Sequence, residues 1–465
     1  MSFALSAFPV VFTAVLLALS VFVYEVDPTI PLFFGAVVAG LSAFIGGYSW
    51  NIIKEGFVNS ISRAISALVI LLIIGMIIGV WIASGIVPLL IHFGFTIMHP
   101  LWFLPLIFIL CCIMSVVTGS SWTTIGTIGV AAVAVGQGLG VPVAVIAGAV
   151  VSGAFFGDKL SPLSDSTNLT PSILGVDLYE HIKHMLYSTL PSFAISLIMY
   201  AILGLFLAQN GQIGNEAAQY QAYVAENFNL SPLLLLPPIA VIIMIVLKVP
   251  AIPSLIVGVI AGGLAQMFVQ NHGLGEVFHV LYNGFSIDTG LTKIDQLFSR
   301  GGMVSMYSVV VLGIISLAFG GIMHRCGMLD ELVGKMPRLV SRQGNLVATT
   351  LFTSLAVNMI GANQYLAVII PGQMFEGAYK KLRLHSKNLT RALEGSGTLV
   401  APLISWNTSG IFVFTALGVS PLEYAPYAFL CWMTLIVVAI YGYTGITMER
   451  TRENQKGVVY EGWDV

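Results

Sequence analysis

Two carboxylates stand where a carboxylate is costly. Asp158 and Asp165 lie in the run Gly157-Asp158-Lys159-Leu160-Ser161-Pro162-Leu163-Ser164-Asp165-Ser166-Thr167-Asn168, which interrupts an apolar stretch. An acid inside a bilayer costs about 2.5–3.5 kcal/mol on insertion scales and persists where it meets water, a cation or a partner. Asp165 is bracketed by Ser164, Ser166, Thr167 and Asn168. That all-oxygen neighbourhood suits a hard cation, so a Na+ site is expected there. One ion and one proton competing for one carboxylate suffice for antiport. The plainer role for Asp165 is a helix N-cap or an Asx-turn at the break, and one residue can fill both. For Asp158 the plainer role is a structural pair with a basic group. Lys159 adjoins it, but neighbours at i, i+1 point apart on a helix. Lys159 is therefore expected to act as a charge partner to Asp165 or to snorkel.

Three further polar interruptions complete a set of four. Thr118-Gly119-Ser120-Ser121 and Gly361-Ala362-Asn363-Gln364 break two long apolar segments, and Ser405-Trp406-Asn407-Thr408 lies in a second broken segment, 401–410. These residues are candidates for substrate contact. Their plainer role is to permit turns and to satisfy backbone groups. The second break carries no acid at the position of Asp165, which assigns the charged chemistry to the first half. Glu394, soon after Arg391, reads as an interfacial acid at a helix start.

The elements that position these residues follow from composition and charge. Of 465 residues, 57% are hydrophobic and only 9% charged, and mean hydropathy is +0.93. A soluble domain carries roughly 25% charged residues. A soluble enzyme and a disordered chain are excluded, and a net charge of −2 leaves no basic field for nucleic acid. An all-α polytopic membrane protein in a lipid bilayer remains, long enough for about ten to twelve spans of ~20 residues. Cys111, Cys112, Cys326 and Cys431 show no metal or redox spacing. The apolar run 8–24 lacks a charged leader before it and is expected to stay as the first span.

An internal repeat organises the chain. The segment 28–40 (PTIPLFFGAVVAG) resembles 250–262 (PAIPSLIVGVIAG), and 157–163 (GDKLSPL) resembles 397–403 (GTLVAPL). Spans are expected near 8–24, 31–47, 65–91, 186–208, 232–247, 252–269, 303–323 and 428–447. This places 48–64, 177–185, 248–251, 324–343, 376–391 and the tail on one side. That side then holds 16 of the 19 Lys and Arg, and the opposite side only Lys293 and Arg300. The bias makes it, with both termini, cytoplasmic. The two halves, 1–230 and 231–447, then run in opposite directions as inverted repeats, followed by the tail 448–465. Segments 100–138 and 344–375 begin and end on the same side, as re-entrant hairpins. Broken helices near 157–170 and 401–410 complete the halves.

The run Gly153-Ala154-Phe155-Phe156-Gly157-Asp158-Lys159-Leu160-Ser161-Pro162-Leu163-Ser164-Asp165-Ser166-Thr167-Asn168 resembles the signature of the NhaC-type sodium/proton antiporter family. The segments Thr118-Gly119-Ser120-Ser121-Trp122-Thr123-Thr124 and Ala401-Pro402-Leu403-Ile404-Ser405-Trp406-Asn407-Thr408 fit it as well. The resemblance covers essentially the whole chain. It implies an ion-transporter superfamily fold with inverted repeats and paired hairpins. It also implies a prokaryotic inner membrane, exchange of cytoplasmic Na+ for external H+, no cofactor beyond the transported ions, and a scaffold open to a homodimer. One branch of the family resembles a malate/lactate exchanger and others are suggested to carry amino acids, so a small organic anion or amino acid is the alternative substrate. No intramembrane Arg is evident for bidentate carboxylate capture, which favours the cation, although helix N-termini can replace Arg. A passive channel is a different class that flux alone excludes. A hydrolase built on Ser120 or Ser396 lacks a His at matching depth.

The orientation is open to a direct check. A single cysteine within 376–391, in a cysteine-free background, should react with a membrane-impermeant thiol reagent only from the cytoplasmic side. Labelling from outside would overturn the hairpin arrangement.

Overall fold

Long apolar runs punctuated by Gly, Pro and small polar clusters leave the backbone one way to satisfy itself in lipid, the helix. The computed structural model describes residues 1–24, 29–97, 100–209, 222–247, 249–290, 295, 298–333 and 342–451. Among these the elements are helical throughout, apart from one isolated bridge between Leu384 and Arg450. Five helical stretches are long and apolar enough to cross a membrane: Leu101–Thr118, Val143–Leu160, Leu178–Leu207, Met303–Arg325 and Gln343–Gly361. Two bent pairs add to them. Ser386–Leu403 meets Thr408–Leu417 at 45°, and Pro421–Tyr427 meets Phe429–Thr444 at 61°. The chain is thus a polytopic helical membrane protein. The expectations placed on 25–28, 210–221, Lys248, Lys293, 334–341 and the tail from 452 lie outside the described residues.

Nine helices carry the centre. They are α1 (Pro100–Thr118), α2 (Val143–Leu160), α3 (Asp165–Ile173), α4 (Leu178–Gln209), α5 (Gln343–Gly361), α6 (Gln364–Lys381), α7 (Ser386–Leu393), α8 (Thr408–Leu417) and α9 (Phe429–Thr444). One spacing, 243 residues, separates matching points of the two halves. Gly119 (φ 66°) and Ala362 (φ 50°) make the left-handed turns after α1 and α5. Ser120 and Asn363, the same distance apart, cap the helices that follow. Ser164 and Asn407 hold the N-cap positions at the second breaks, although only the Asn407 side chain makes a capping bond. Even the bracing hydrogen bonds correspond. Ser115 Oγ donates to the Ala154 carbonyl, and Asn358 Nδ2 donates to the Gly397 carbonyl at 2.6 Å. This register moves the match between 157–163 and 397–403 by three residues, because the turns fix it more firmly than the shared Pro-Leu.

Several expected boundaries move. The span near 65–91 is the end of a 34-residue helix, Trp50–Ala83, which absorbs most of the basic segment 48–64 and stops at a turn through Gly85 (φ 84°). Segment 376–391 is not a loop but the end of α6, a short turn and the start of α7. Its basic side chains are partly inside. Lys387 Nζ lies 3.0 Å from Glu180 and 2.9 Å from Glu449. Arg391 is 1% exposed, donates to Thr447 Oγ1 at 2.8 Å, and stacks 5.7 Å over the Tyr441 ring. An Arg does therefore sit inside the protein, contrary to expectation, but it is spent on a structural contact. The four cysteines are free and buried.

Close approach of α2 to α1 rests on glycine. A Cβ at Gly157 would collide with the Val116 nitrogen and with Ser115, and one at Gly153 with the Phe108 carbonyl and Cys111. Small residues let helix backbones pack where lipid supplies no hydrophobic drive. Gly157→Leu should cost about 3 kcal/mol, the upper range for overpacking a site walled by backbone. Gly377→Ala, with open space around it, should be neutral. Thermal melts of the purified variants in detergent test the difference.

Candidate functional site

The tip after α1 and the break after α2 are one construction. Past Thr118 the chain turns at Gly119, whose missing Cβ makes room for Leu163, and resumes as helix at Ser121. Past Leu160 the chain turns at Pro162 and Leu163, the Ser164 amide donating to the Ser161 carbonyl at 3.1 Å, and enters α3 at Asp165. Asp158 joins the two. Its Oδ2 accepts from Ser121 Oγ at 2.7 Å, and its Oδ1 from Ser164 Oγ at 2.6 Å. Thr167 Oγ1 donates to the Asp158 carbonyl at 2.6 Å, and Ser161 Oγ to the Val116 carbonyl at 2.8 Å. Asn168 Nδ2 donates to the Pro162 and Ser164 carbonyls at 2.8 and 2.7 Å. Hydrogen bonds to a charged acceptor are about twice as strong as neutral ones, so Asp158, 5% exposed, is the anchor of the tip.

Asp165 is placed differently. It is exposed, it begins α3, and it faces open space. A cavity of about 400 Å³ is lined by Thr118, Gly119, Ser120, Asp158, Asp165 and Ser166 from the first half, with Gln364 and Tyr365 from the second. A second cavity, about 290 Å³, is lined by Asp165, Asn363, Tyr365 and Ser60. Asp165 and Tyr365 belong to both walls. The positive end of α3 supports a carboxylate at its first residue, while hydroxyls beside it supply neutral oxygen. This is an arrangement in which a hard monovalent cation can bind and leave.

Not every expected residue reaches the cavity. Ser121, Ser164, Thr167 and Asn168 are spent on bracing. Asn363 caps α6, its Oδ1 accepting from the Tyr365 amide at 2.8 Å. Asn407 caps α8 and donates to Asn358 Oδ1 at 2.7 Å. Ser409 Oγ, 3.3 Å from Gln364 Oε1, ties α8 to the tip of α6. The Thr408 amide bonds the Ala362 carbonyl. Ser405 lies beside Trp406 in a separate, mainly apolar cavity of about 240 Å³. The halves also meet directly, with Trp122 stacked on Phe412 at 4.6 Å.

Two charged residues depart from expectation. Lys159 is 0% exposed. It neither snorkels nor reaches Asp165, since its Nζ lies 3.9 Å from where a Gly395 Cβ would sit. Glu394 is not interfacial but also 0% exposed, and its Oε1 is hydrogen-bonded with the Thr170 hydroxyl. The second half therefore contributes a buried acid after all. Its signal was the run Glu394-Gly395-Ser396-Gly397-Thr398, too polar for a simple helix start. Asn358, Tyr365 and Trp122 were also missed. Their counterparts 243 residues away are Ser115, Trp122 and Tyr365 respectively, visible only once the register is known.

Known sequences resemble this chain over nearly its whole length. The sequence model of a family described as Na+/H+ antiporter family matches residues 2–167 and 153–446. The Na+/H+ antiporter NhaC of Alkalihalophilus pseudofirmus is 40% identical over 94% of this chain and 95% of its own. The malate-2H+/Na+-lactate antiporter of Bacillus subtilis is 36% identical over 96% of this chain and 95% of its own. The arginine/ornithine antiporter ArcD of Halobacterium salinarum is 35% identical over 96% and 93%.

The two acids should separate in stability. Asp158→Ala leaves two buried hydroxyls without their acceptor and should cost about 3 kcal/mol. Asp165→Asn, at an exposed position, should stay within about 0.5 kcal/mol of the parent. Melting temperatures of the two purified variants decide it, and equal losses would refute the division of roles.

Proposed function

The chain belongs to the Na+/H+ antiporter family, a family of transporters and not of enzymes, and on that premise we propose that it exchanges Na+ for H+ with Asp165 as the shared site. The observation that carries this reading is the position of Asp165, an acid open to two cavities and flanked by hydroxyls, beside an Asp158 already committed to bracing. Na+ occupies the larger cavity against Asp165, Ser166 and the tip residues Thr118 and Ser120. A proton replaces it when the site faces the other side. Alternating exposure of one site is what antiport requires.

The same reading places the protein in a bacterial inner membrane with cytoplasmic termini, on the charge bias of its loops, and admits a homodimer. The constant spacing between the halves supports two structural repeats, 1–230 and 231–447, inverted as in other transporters of discontinuous helices. The tips and breaks then approach the midplane from both faces.

A second reading has a specific basis. A cavity of about 400 Å³ exceeds the needs of a bare Na+ and lies within the range for small organic ligands. Relatives named for malate/lactate and arginine/ornithine exchange share about a third of the sequence. Under that reading Asp165 binds the coupling ion and the organic substrate fills the rest of the cavity.

Proton movement in proteoliposomes separates the two. Na+ alone should move protons, and Asp165→Asn should reduce that movement to background while the protein still inserts. Movement only after adding malate, lactate or an amino acid would replace the first reading by the second. Full exchange by Asp165→Asn would remove Asp165 from both.

A further inference from the structure

One buried acid has no place in the ion cavity. Glu394 opens a π-helical turn, Glu394–Thr398, after α7. Its Oε2 has no hydrogen-bond partner, nor has Nζ of the equally buried Lys159 held against the same turn. The charged and titratable groups facing the pair come from every neighbouring element: Asp158 on α2, His181 on α4, Arg391 on α7 and Cys431 on α9. If both were ionised, an open carboxylate oxygen and an open ammonium would each cost several kcal/mol, and closing into an ion pair would recover much of it. The open arrangement fits a pair that is not doubly ionised, and the contacts of Thr170 decide which partner holds a neutralising proton.

Thr170 assigns that proton to the carboxyl. Its hydroxyl meets both Glu394 Oε1 and, at 3.0 Å, the Ser166 carbonyl. A threonine has one proton to donate. Both contacts are satisfied together when the protonated carboxyl donates to Thr170 Oγ1 and Thr170 donates to Ser166. The Ser166 hydroxyl lies 3.1 Å from Ser164 Oγ, which bonds Asp158. A polar line therefore runs from Glu394 to the wall of the ion cavity.

We propose that Glu394 is a second proton-carrying site, separate from Asp165, with Lys159 as the cation that takes up its charge when the proton leaves. On release the O–H bond of the carboxyl breaks and both electrons stay on the carboxylate, which closes on the Lys159 ammonium. The proton passes to water on the side to which the site opens, and uptake reverses the step. Asp158 repels a negative Glu394, and Na+ beside Asp158 offsets that repulsion, so loading of the cavity favours release at Glu394.

The transport arm of the test rests on the antiport reading, and the spectroscopic arm does not. In pH-difference infrared spectra of the purified protein, a titrating C=O band of a protonated buried carboxyl should be lost in Glu394→Gln and kept in Asp165→Asn. In proteoliposomes Glu394→Gln should move fewer protons per Na+ than the parent. A band that survives Glu394→Gln, or an unchanged proton count per Na+, overturns the proposal. Absence of Na+-driven flux in the parent would refute antiport and leave the infrared result to decide Glu394. Should Glu394→Gln fail to fold, Lys159→Met provides the second probe. Loss of the ammonium that stabilises the carboxylate should shift the midpoint of the band toward alkaline pH, and an unmoved midpoint overturns the proposal.

Discussion

An apolar slab offers no water to a backbone that leaves its helix, and each break in this chain is built around that shortage. Where α1 ends, Ser120 caps the next helix, Ser161 bonds a carbonyl left over from α1, and Asp158 gathers the hydroxyls of Ser121 and Ser164. Where α5 ends, Asn363 and Asn407 cap the following helices and the Trp406 indole donates to the Met359 carbonyl at 2.7 Å. An unsatisfied group at this depth costs several kcal/mol. The side chains at the breaks are thus structural before they are functional.

The two halves meet the requirement with different chemistry. The first uses a carboxylate and serines, and the second uses asparagines. Asn358 and Asn407 carry no charge, so their hydrogen bonds hold whatever ion is nearby. Asp158 already accepts from the hydroxyls of Ser121 and Ser164, whereas Asp165 is exposed and lines both cavities. One half provides a fixed neutral support, and the other provides the exposed acid to which the proposed exchange assigns the ion and the proton.

Much of this was legible in the sequence. The helical membrane class and the four polar breaks between helices follow from Gly, Pro and hydroxyl clusters in apolar runs. What escaped was side-chain direction. Nothing in Gly157-Asp158-Lys159 tells which acid turns inward to serines, and Lys159 points to a turn more than 230 residues away. Glu394 was misplaced because an acid just after a basic residue normally marks a helix end near water. Here Arg391 is itself buried, held by Thr447 and Tyr441, and the whole turn lies inside. Boundaries also moved where a helix ran past its apolar portion, as Trp50–Ala83 does, since hydropathy marks the lipid-facing length and not the hydrogen-bonded one.

Tyr365 belongs to the walls of both cavities that Asp165 faces. If both cavities serve as routes to Asp165 in the proposed exchange, Tyr365 stands where the two meet. Unhindered side-chain rotations take picoseconds to nanoseconds, far faster than any turnover that moves helices. A ring free to swing would short-circuit the exchange and let ions run down their gradient as a leak. In the proposed exchange, tightness would then depend on how firmly the α6 tip is seated by the Asn363 cap and the Ser409–Gln364 contact.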